Sequence, residues 1–312
     1  MIKQKKISII FSFRNEEKTL EELYRRTQDV LKRSNLLYEM IFVNDASTDG
    51  SLNILTNLAL KDQSVKVINL SRRFGYNQSF MAGLEFFSGD AAVILDSDLQ
   101  DSPEEIPRLI EKWELGAEVV HAVRQERLGE NFFKLQLTSL AYKIIRKISS
   151  IELLENAGNF KLLSRRVVQE LLRLKEQDPY LRGLISWVGF KQDKIYYKRQ
   201  KRFAGKGHFP VLTSSGPIKE FISGVTSFSE FFPFLPIGSG LIFLILGLVA
   251  GFRELIIFLS GAMSPSWIIT LILIVGGVQL ISLGLVGLYI GRIWKEVARR
   301  PRHIVESTIN VS

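Results

Sequence analysis

The chain has 312 residues, a mass of 35.5 kDa and no cysteine, which excludes disulfides, thiolate metal sites and cysteine nucleophiles. Its three histidines, His121, His208 and His303, lie far apart in sequence, so a metal here needs oxygen ligands rather than a histidine zinc site. The net charge of +9, from 41 Lys+Arg against 32 Asp+Glu, suits a phosphate-bearing partner: nucleic acid, anionic lipid or a phosphorylated substrate.

The first residues, MIKQKK followed by ISIIFSF and Arg14, hold too short an apolar run for a signal-peptide core. They predict a buried first strand over Ile7–Phe13 and a domain that stays in the cytoplasm. Glu16–Arg33 follows as a helix with Leu20, Leu23, Thr27, Val30 and Leu31 inward. Strands are then predicted at Tyr38–Val43, Val65–Leu70, Ala91–Leu95 and Val119–Val123. Helices are predicted between them at Ser51–Leu60, Gln78–Phe87 and Pro103–Leu115. Strands alternating with helices imply a doubly wound, mostly parallel α/β sheet, which binds ligands beyond the carboxyl ends of its strands.

Those ends carry the chemistry. Strand one runs into Ser12, Arg14 and Glu16, strand two into Asn44 and Asp45, and strand four into Asp96-Ser97-Asp98-Leu99-Gln100-Asp101. No Gly-x-Gly-x-x-Gly and no Gly-Lys-Ser/Thr loop accompanies them, which disfavours a dinucleotide site or a Walker-type phosphate loop. Two carboxylates spaced i, i+2 at a strand end can converge on one hard cation where the strand yields to a turn. Mg²⁺ commonly takes one or two carboxylates and completes its shell with substrate phosphates and water. A bare Asp-x-Asp also decorates ordinary solvated turns; here it ends the apolar run AAVIL and precedes Gln100, another oxygen donor.

From Phe231 to Gly291 the only charges are Arg253 and Glu254. A spanning helix needs ~20 apolar residues, so two spans are predicted, near Phe234–Phe252 and Trp267–Gly291, joined by a short outer turn. Arg292, Lys295, Arg299, Arg300 and Arg302 follow the second span, and residues 191–206 hold seven Lys/Arg and one Asp. The positive-inside rule then puts both termini in the cytoplasm. Before the first span, Ile218, Phe221, Ile222, Val225 and Phe228 form the apolar face of a helix expected to lie in the membrane interface. Glycines at 240, 247 and 251, and at 276, 277, 284, 287 and 291, either pack helices closely or reflect ordinary span composition. The chain thus divides into a domain over 1–212, an interface helix over 213–232, spans over 233–291 and a basic tail over 292–312.

The strand-end motifs, in their order, resemble inverting glycosyltransferases of the GT-A fold. The resemblance is closest to the polyprenyl-phosphate branch of bactoprenol glucosyltransferases and dolichol-phosphate mannose synthases. SFRNEE (12–17), FVNDASTDGS (42–51), LSRRFGYNQSFMAGL (70–84) and ILDSDLQDSPE (94–104) carry it, with NAGNFKLLSRRVV (156–168), LRGLISWVGF (181–190) and KRFAGKGHF (201–209) as later landmarks. It implies a nucleotide pocket lined by Ser12, Arg14, Glu16, Asp45 and Asp96. It implies Asp96, Asp98 and Gln100 around Mg²⁺ or Mn²⁺ on the donor diphosphate, so that Asp96, Asp98 and Arg202 carry catalysis. Arg202 and Lys206 match a basic loop that closes over phosphates, though beside a membrane they could equally meet anionic lipid. Arg124, Arg127 and Lys206 would receive the acceptor phosphate.

The implied reaction moves a hexose, expected to be glucose, from a UDP-sugar to undecaprenyl phosphate at the inner (plasma) membrane. The chain would be multi-pass and self-associating, and no nucleic acid would be bound. Ser12 and Arg14 depart from the family's usual Pro and Tyr, and Asn159 stands where many relatives carry an Asp that is a candidate base. A phosphate monoester, with a second pKa near ~6, is already mostly dianionic and needs no base, whereas an alcohol would. Two rival readings are a polysaccharide synthase, which usually carries a Gln-x-x-Arg-Trp motif and more spans, and a non-catalytic membrane-tethered nucleotide binder.

Overall fold

Alternating apolar residues send the first strand's side chains to two different layers. The structure, a computed structural model, describes residues 4–34, 36–125, 157–200, 203, scattered positions between 236 and 260, and 267–311. In β1 (Lys6–Phe13), Ile7, Ile9, Phe11 and Phe13 enter one core and Ile10 the other. β2 (Leu37–Asn44), β3 (Val65–Leu70) and β4 (Ala91–Asp96) pair in parallel with β1 or with each other. One face is covered by α1 (Leu20–Arg33), α2 (Ser51–Lys61) and α4 (Ile106–Glu114). The other is covered by α3 (Tyr76–Glu85), α5 (Arg165–Arg173) and α6 (Leu181–Trp187). The predicted α/β sandwich is therefore present, with the two cores on opposite faces of one sheet.

α3 lies unusually close to the sheet. A Cβ on Gly83 would overlap Ile10 Cγ2 and come within 3.1 Å of Val43 Cγ2. A Gly83→Val chain is expected to lose about 1–3 kcal/mol by overpacking, read as a lower melting temperature.

The sheet is more mixed than the sequence predicts. β5 (Val119–Arg124), β6 (Ala157–Ser164), β7 (Gln192–Tyr197) and β8 (Val305–Ile309) complete the order β7-β5-β6-β4-β1-β2-β3-β8. β6 is antiparallel to both β4 and β5, and β8 is antiparallel to β3. The fifth predicted strand is therefore not a direct parallel extension of the first four. β6 is inserted between β4 and β5, and β5 then takes β7 in parallel. α1 begins at Leu20 rather than Glu16 because Glu16 accepts turn hydrogen bonds from Thr19 N and Leu20 N through its carbonyl.

Residues 292–312 do not form only a basic tail. α7 runs from Trp267 to Ala298, past the predicted end at Gly291, and the chain then returns to the sheet as β8. Around that exit, Glu296 accepts from Gln177 N at 2.7 Å, Lys295 meets Asp178 at 3.3 Å, and Arg302 donates to the Leu174 carbonyl. Asn310 then anchors β8 by donating to Ala59 O and Val65 O. Within α7, Val275–Ala298 is the one segment among the described residues long and apolar enough to cross a membrane. The described positions from Pro236 to Leu259 are helical. The interface helix predicted over 213–232 lies outside the described residues.

A buried acid fixes the sheet's opposite end. Glu39 accepts from Ser8 Oγ, Ser88 N and Ser88 Oγ, and pairs with Lys6 and Lys66 at 2.9 and 2.8 Å. Burial alone would raise its pKa; the bonds from Lys66, Ser8, Lys6 and Ser88 outweigh it and lower the pKa from 4.5 to about 2. The depressed value means this carboxylate stabilises the fold fully above about pH 4.5 and loses that contribution as pH falls toward 2. The amount is about 3 kcal/mol. A Glu39→Gln chain is expected to melt well below wild type at pH 7, with the gap narrowing from pH 4.5 downward. A gap that stays constant with pH would contradict this role.

Candidate active site

The parallel register brings the ends of β1, β2 and β4 to one edge: Ser12 aligns with Val43 on one side and Asp96 on the other. Three residues just past these strands take positive φ without being glycine: Asn15 at 55°, Ala46 at 54° and Leu99 at 58°. Such left-handed positions cost backbone energy and recur at functional turns. The β1 and β2 loops are tied together. Asn15 N donates to Ser47 Oγ at 3.0 Å, Thr48 N to Asn15 Oδ1 at 2.8 Å, and Glu16 N to Ser51 Oγ at 3.0 Å.

The nucleotide-pocket residues implied by the resemblance all reach this edge. Ser12, Glu16 and Asp45 are buried. Asp45 is already engaged: its Oδ1 accepts from Phe74 N at 2.7 Å and its Oδ2 from Gly75 N at 3.1 Å. It therefore fixes the loop that opens α3 from β2's end. Thr19 donates to Glu16 Oε2 at 3.1 Å. Arg14, just past the end of β1, has a buried Nη1 with no hydrogen-bond partner among the described residues.

The Asp-x-Asp turn is the chemical centre. Tyr76, the first residue of α3, donates its hydroxyl to Asp96 Oδ1. Asp98 Oδ1 accepts from Gln100 N at 3.1 Å, which closes the turn. Asp96 is pushed up to about 6, first by loss of hydration and then by the charges of Asp101 and Asp98, with the Tyr76 bond opposing. Acidic groups this crowded favour a cation between them. Among the described residues no cage of three or more His, Asp or Glu side chains exists. Two carboxylates and one amide fit a hard divalent ion that completes its shell on substrate phosphates.

Asp101, five residues beyond Asp96, is fully buried and organises the site from below. Its Oδ1 accepts from Tyr197 Oη and from Arg199 Nε at 3.2 Å, and its Oδ2 lies 3.5 Å from Arg124 Nη2. Arg124, expected at the acceptor phosphate, thus ends β5 as the partner of Asp101 and packs over Gly158. Gln100 O accepts from Gln200 N at 2.9 Å, and Gln200 Nε2 donates to Ser102 Oγ at 2.9 Å. The segment leading to Arg202 therefore starts beside the Asp98 turn. Arg127, Arg202 and Lys206 themselves lie outside the described residues.

Sequence reading missed Tyr76, Asp101 and Arg199. Tyr76 sits just after Phe74-Gly75 at a helix start, and Asp101 within the quoted ILDSDLQDSPE; neither position reveals its partner. Arg199 lies in the basic run before Arg202, where its pairing with Asp101 is invisible.

The glycosyl transferase family 2 model matches residues 8–172. An uncharacterised glycosyltransferase of Bacillus subtilis (strain 168) is 38% identical, covering 97% of this chain and 94% of that one. A bactoprenol glucosyl transferase of Shigella phage SfX is 36% identical, covering 97% and 99%. The structure resembles mannosyl-3-phosphoglycerate synthase from Rubrobacter xylanophilus at a TM-score of 0.51, with 15% identity over 72% of this chain and 73% of that one. At that identity the likeness concerns the fold, which is the GT-A type. Family match, full-length relatives and an acidic turn at the sheet edge agree: the chain belongs to glycosyl transferase family 2.

Proposed function

We propose that the protein transfers glucose from a UDP-sugar to polyprenyl phosphate, inverting the anomeric carbon, at the cytoplasmic face of the plasma membrane. The phage relative of matching length is named for bactoprenol glucosyl transfer. The geometric observation that carries the reading is the bond from Gln200 N to Gln100 O. It starts the basic segment of Arg202 and Lys206 at the turn that presents Asp98.

In this reading Ser12, Arg14 and Glu16 hold the nucleotide, and Asp45 keeps the loop before α3 in place. Asp96, Asp98 and Gln100 would hold Mg²⁺ or Mn²⁺, which when bound offsets charge on the leaving diphosphate. Arg202 and Lys206 would add positive charge to the donor phosphates, and Arg127 would receive the incoming phosphate. That phosphate attacks the sugar carbon in line with the departing UDP and surrenders no proton, so Asn159 suffices where relatives carry Asp. Exclusion of water protects the sugar from hydrolysis.

Connectivity is consistent with membrane anchoring through two crossings. β8 belongs to the same sheet as β1–β4, so the chain must end on the side where it began. If α7 crosses once, a second crossing precedes it, and the helical positions from Pro236 to Leu259 supply one. α7, at about 1.5 Å per residue, is long enough for the hydrocarbon core with turns to spare. Self-association through the glycine faces of the spans belongs to the same reading: a Cβ on Gly276, Gly277, Gly284, Gly287 or Gly291 would meet nothing of this chain.

The test is a donor panel with the full chain in detergent and undecaprenyl phosphate. UDP-glucose is expected to label the lipid in preference to UDP-galactose, UDP-N-acetylglucosamine and GDP-mannose. Chelation is expected to stop the reaction and Mg²⁺ or Mn²⁺ to restore it. Full activity in chelator, or labelling from none of these donors, would contradict the assignment.

A further inference from the structure

The central sheet contains a buried lysine with no acidic partner among the described residues. Lys161, on β6, is 2% exposed. Its register partner on β4 is Ile94, one pleat before Asp96, and on β5 it is His121. Among the described residues no carboxylate pairs with it. Burial and then the charge of Arg182 lower its pKa from 10.5 to about 7. His121 adds no second charge beside it, because burial and then Lys161 lower the imidazole to about 4 and leave it neutral.

The surroundings make this a prepared site rather than a stray residue. By alternation Lys161 shares its sheet face with Asn159 and with Asp96 across the β4–β6 pair. Asn159, 8% exposed, accepts from Arg182 Nε at 2.7 Å through Oδ1, so its amide N–H groups are not engaged by that bond. Arg182, the second residue of α6, also acts electrostatically on Tyr76, the residue bonded to Asp96. Two cations and an amide donor therefore gather behind Asp96, on the face opposite the α1, α2 and α4 layer. A buried charge without its counter-ion costs stability. Its retention is explained by an anion that arrives during turnover.

We propose that Lys161, Arg182 and Asn159 form the seat of the acceptor's phosphate. This rests on the proposed transfer to a lipid phosphate and deepens it. Arg124, the described arginine implied for that task by resemblance, already has Asp101 as its counter-ion. Lys161 has none among the described residues, and a phosphate dianion supplies the missing charge while placing an oxygen next to Asn159, close to Asp96. Lys161 is a compact cation on a flexible stem, suited to following the phosphate as it becomes a diester.

The experiment uses the full chain in detergent with UDP-glucose and undecaprenyl phosphate, comparing wild type with Lys161→Met, Lys161→Gln and Lys161→Arg. Lys161→Met is expected to raise KM for the lipid phosphate about tenfold or more, to leave KM for UDP-glucose within about twofold, and to melt no lower than wild type. Lys161→Arg is expected to recover most of the acceptor affinity. Lys161→Gln, which keeps length and polarity, carries the same KM comparison where the methionine chain does not fold. An unchanged acceptor KM in an active neutral variant overturns the seat, as does a selective rise in donor KM, which would place the transferred sugar or its diphosphate there. A wild type that labels no lipid overturns the proposed acceptor itself, and the seat with it.

Discussion

Asp98→Ala is expected to reduce glucosyl transfer by about 10³-fold or more, because it removes the carboxylate best placed to hold the cation on the donor diphosphate. Asp96 cannot compensate: one of its oxygens is taken by Tyr76, and burial, then the neighbouring acids, raise its pKa to about 6. Asp98 makes a single turn bond, to Gln100 N, among the described residues. Its loss is therefore expected to change the melting temperature little, by less than about 1 kcal/mol of stability. Divalent ions are expected to promote UDP binding to the wild type and to lose that effect in the variant. A folded Asp98→Ala chain with near-native turnover would remove the metal assignment.

Asp101→Ala is expected to have the largest effect on stability, about 3–5 kcal/mol. The side chain is fully buried and answers Arg124 at 3.5 Å, Arg199 at 3.2 Å and the Tyr197 hydroxyl together. Truncation strands a largely buried guanidinium: Arg124 retains 20% side-chain exposure and a bond to Tyr197 Oη at 3.3 Å. Asp101→Asn keeps acceptor and donor atoms but loses the charge, so it is expected to fall between wild type and alanine. Activity should fall in both, since Arg199 precedes Gln200, whose backbone ties the basic segment to the Asp98 turn. Thermal unfolding of the two variants checks the order; an alanine chain as stable as wild type would show that Asp101 merely fills space.

The parallel core was legible because β1–β4 are predominantly apolar runs, the pattern of strands covered on both faces. β6 was not legible as a strand. Lys161 and Asn159 break its apolar run, and these are the residues that make it chemically interesting. β8 reads VESTI, short, charged and at a sheet edge, with no pattern to separate it from a tail. Its partner β3 lies far away in sequence, and only the fold shows that the residues after the apolar helix rejoin the sheet.

The site was legible where chemistry is local. Asp96, Asp98 and Gln100 follow one another at the end of β4, and their spacing is enough to suggest a shared site; of the three, Asp98 bonds Gln100 N. It was obscure where the partner is remote: Asp101 with Arg124, Asp45 with Phe74 and Gly75, Tyr76 with Asp96. Arg124 illustrates the difference. The resemblance implies a phosphate for it, and in the structure a buried aspartate lies beside it. Lys161 is the converse, a charge inside a strand whose lack of an acidic neighbour among the described residues appears only once the sheet is assembled.

The most direct measurement of the central claim is transfer of radiolabelled glucose from UDP-glucose to undecaprenyl phosphate, set against undecaprenol under the same conditions. Organic-extractable label is expected with the phosphate and none with the alcohol, because Asn159 provides no base to take a hydroxyl proton. Equal labelling of the alcohol, or label appearing only as free glucose, would contradict it.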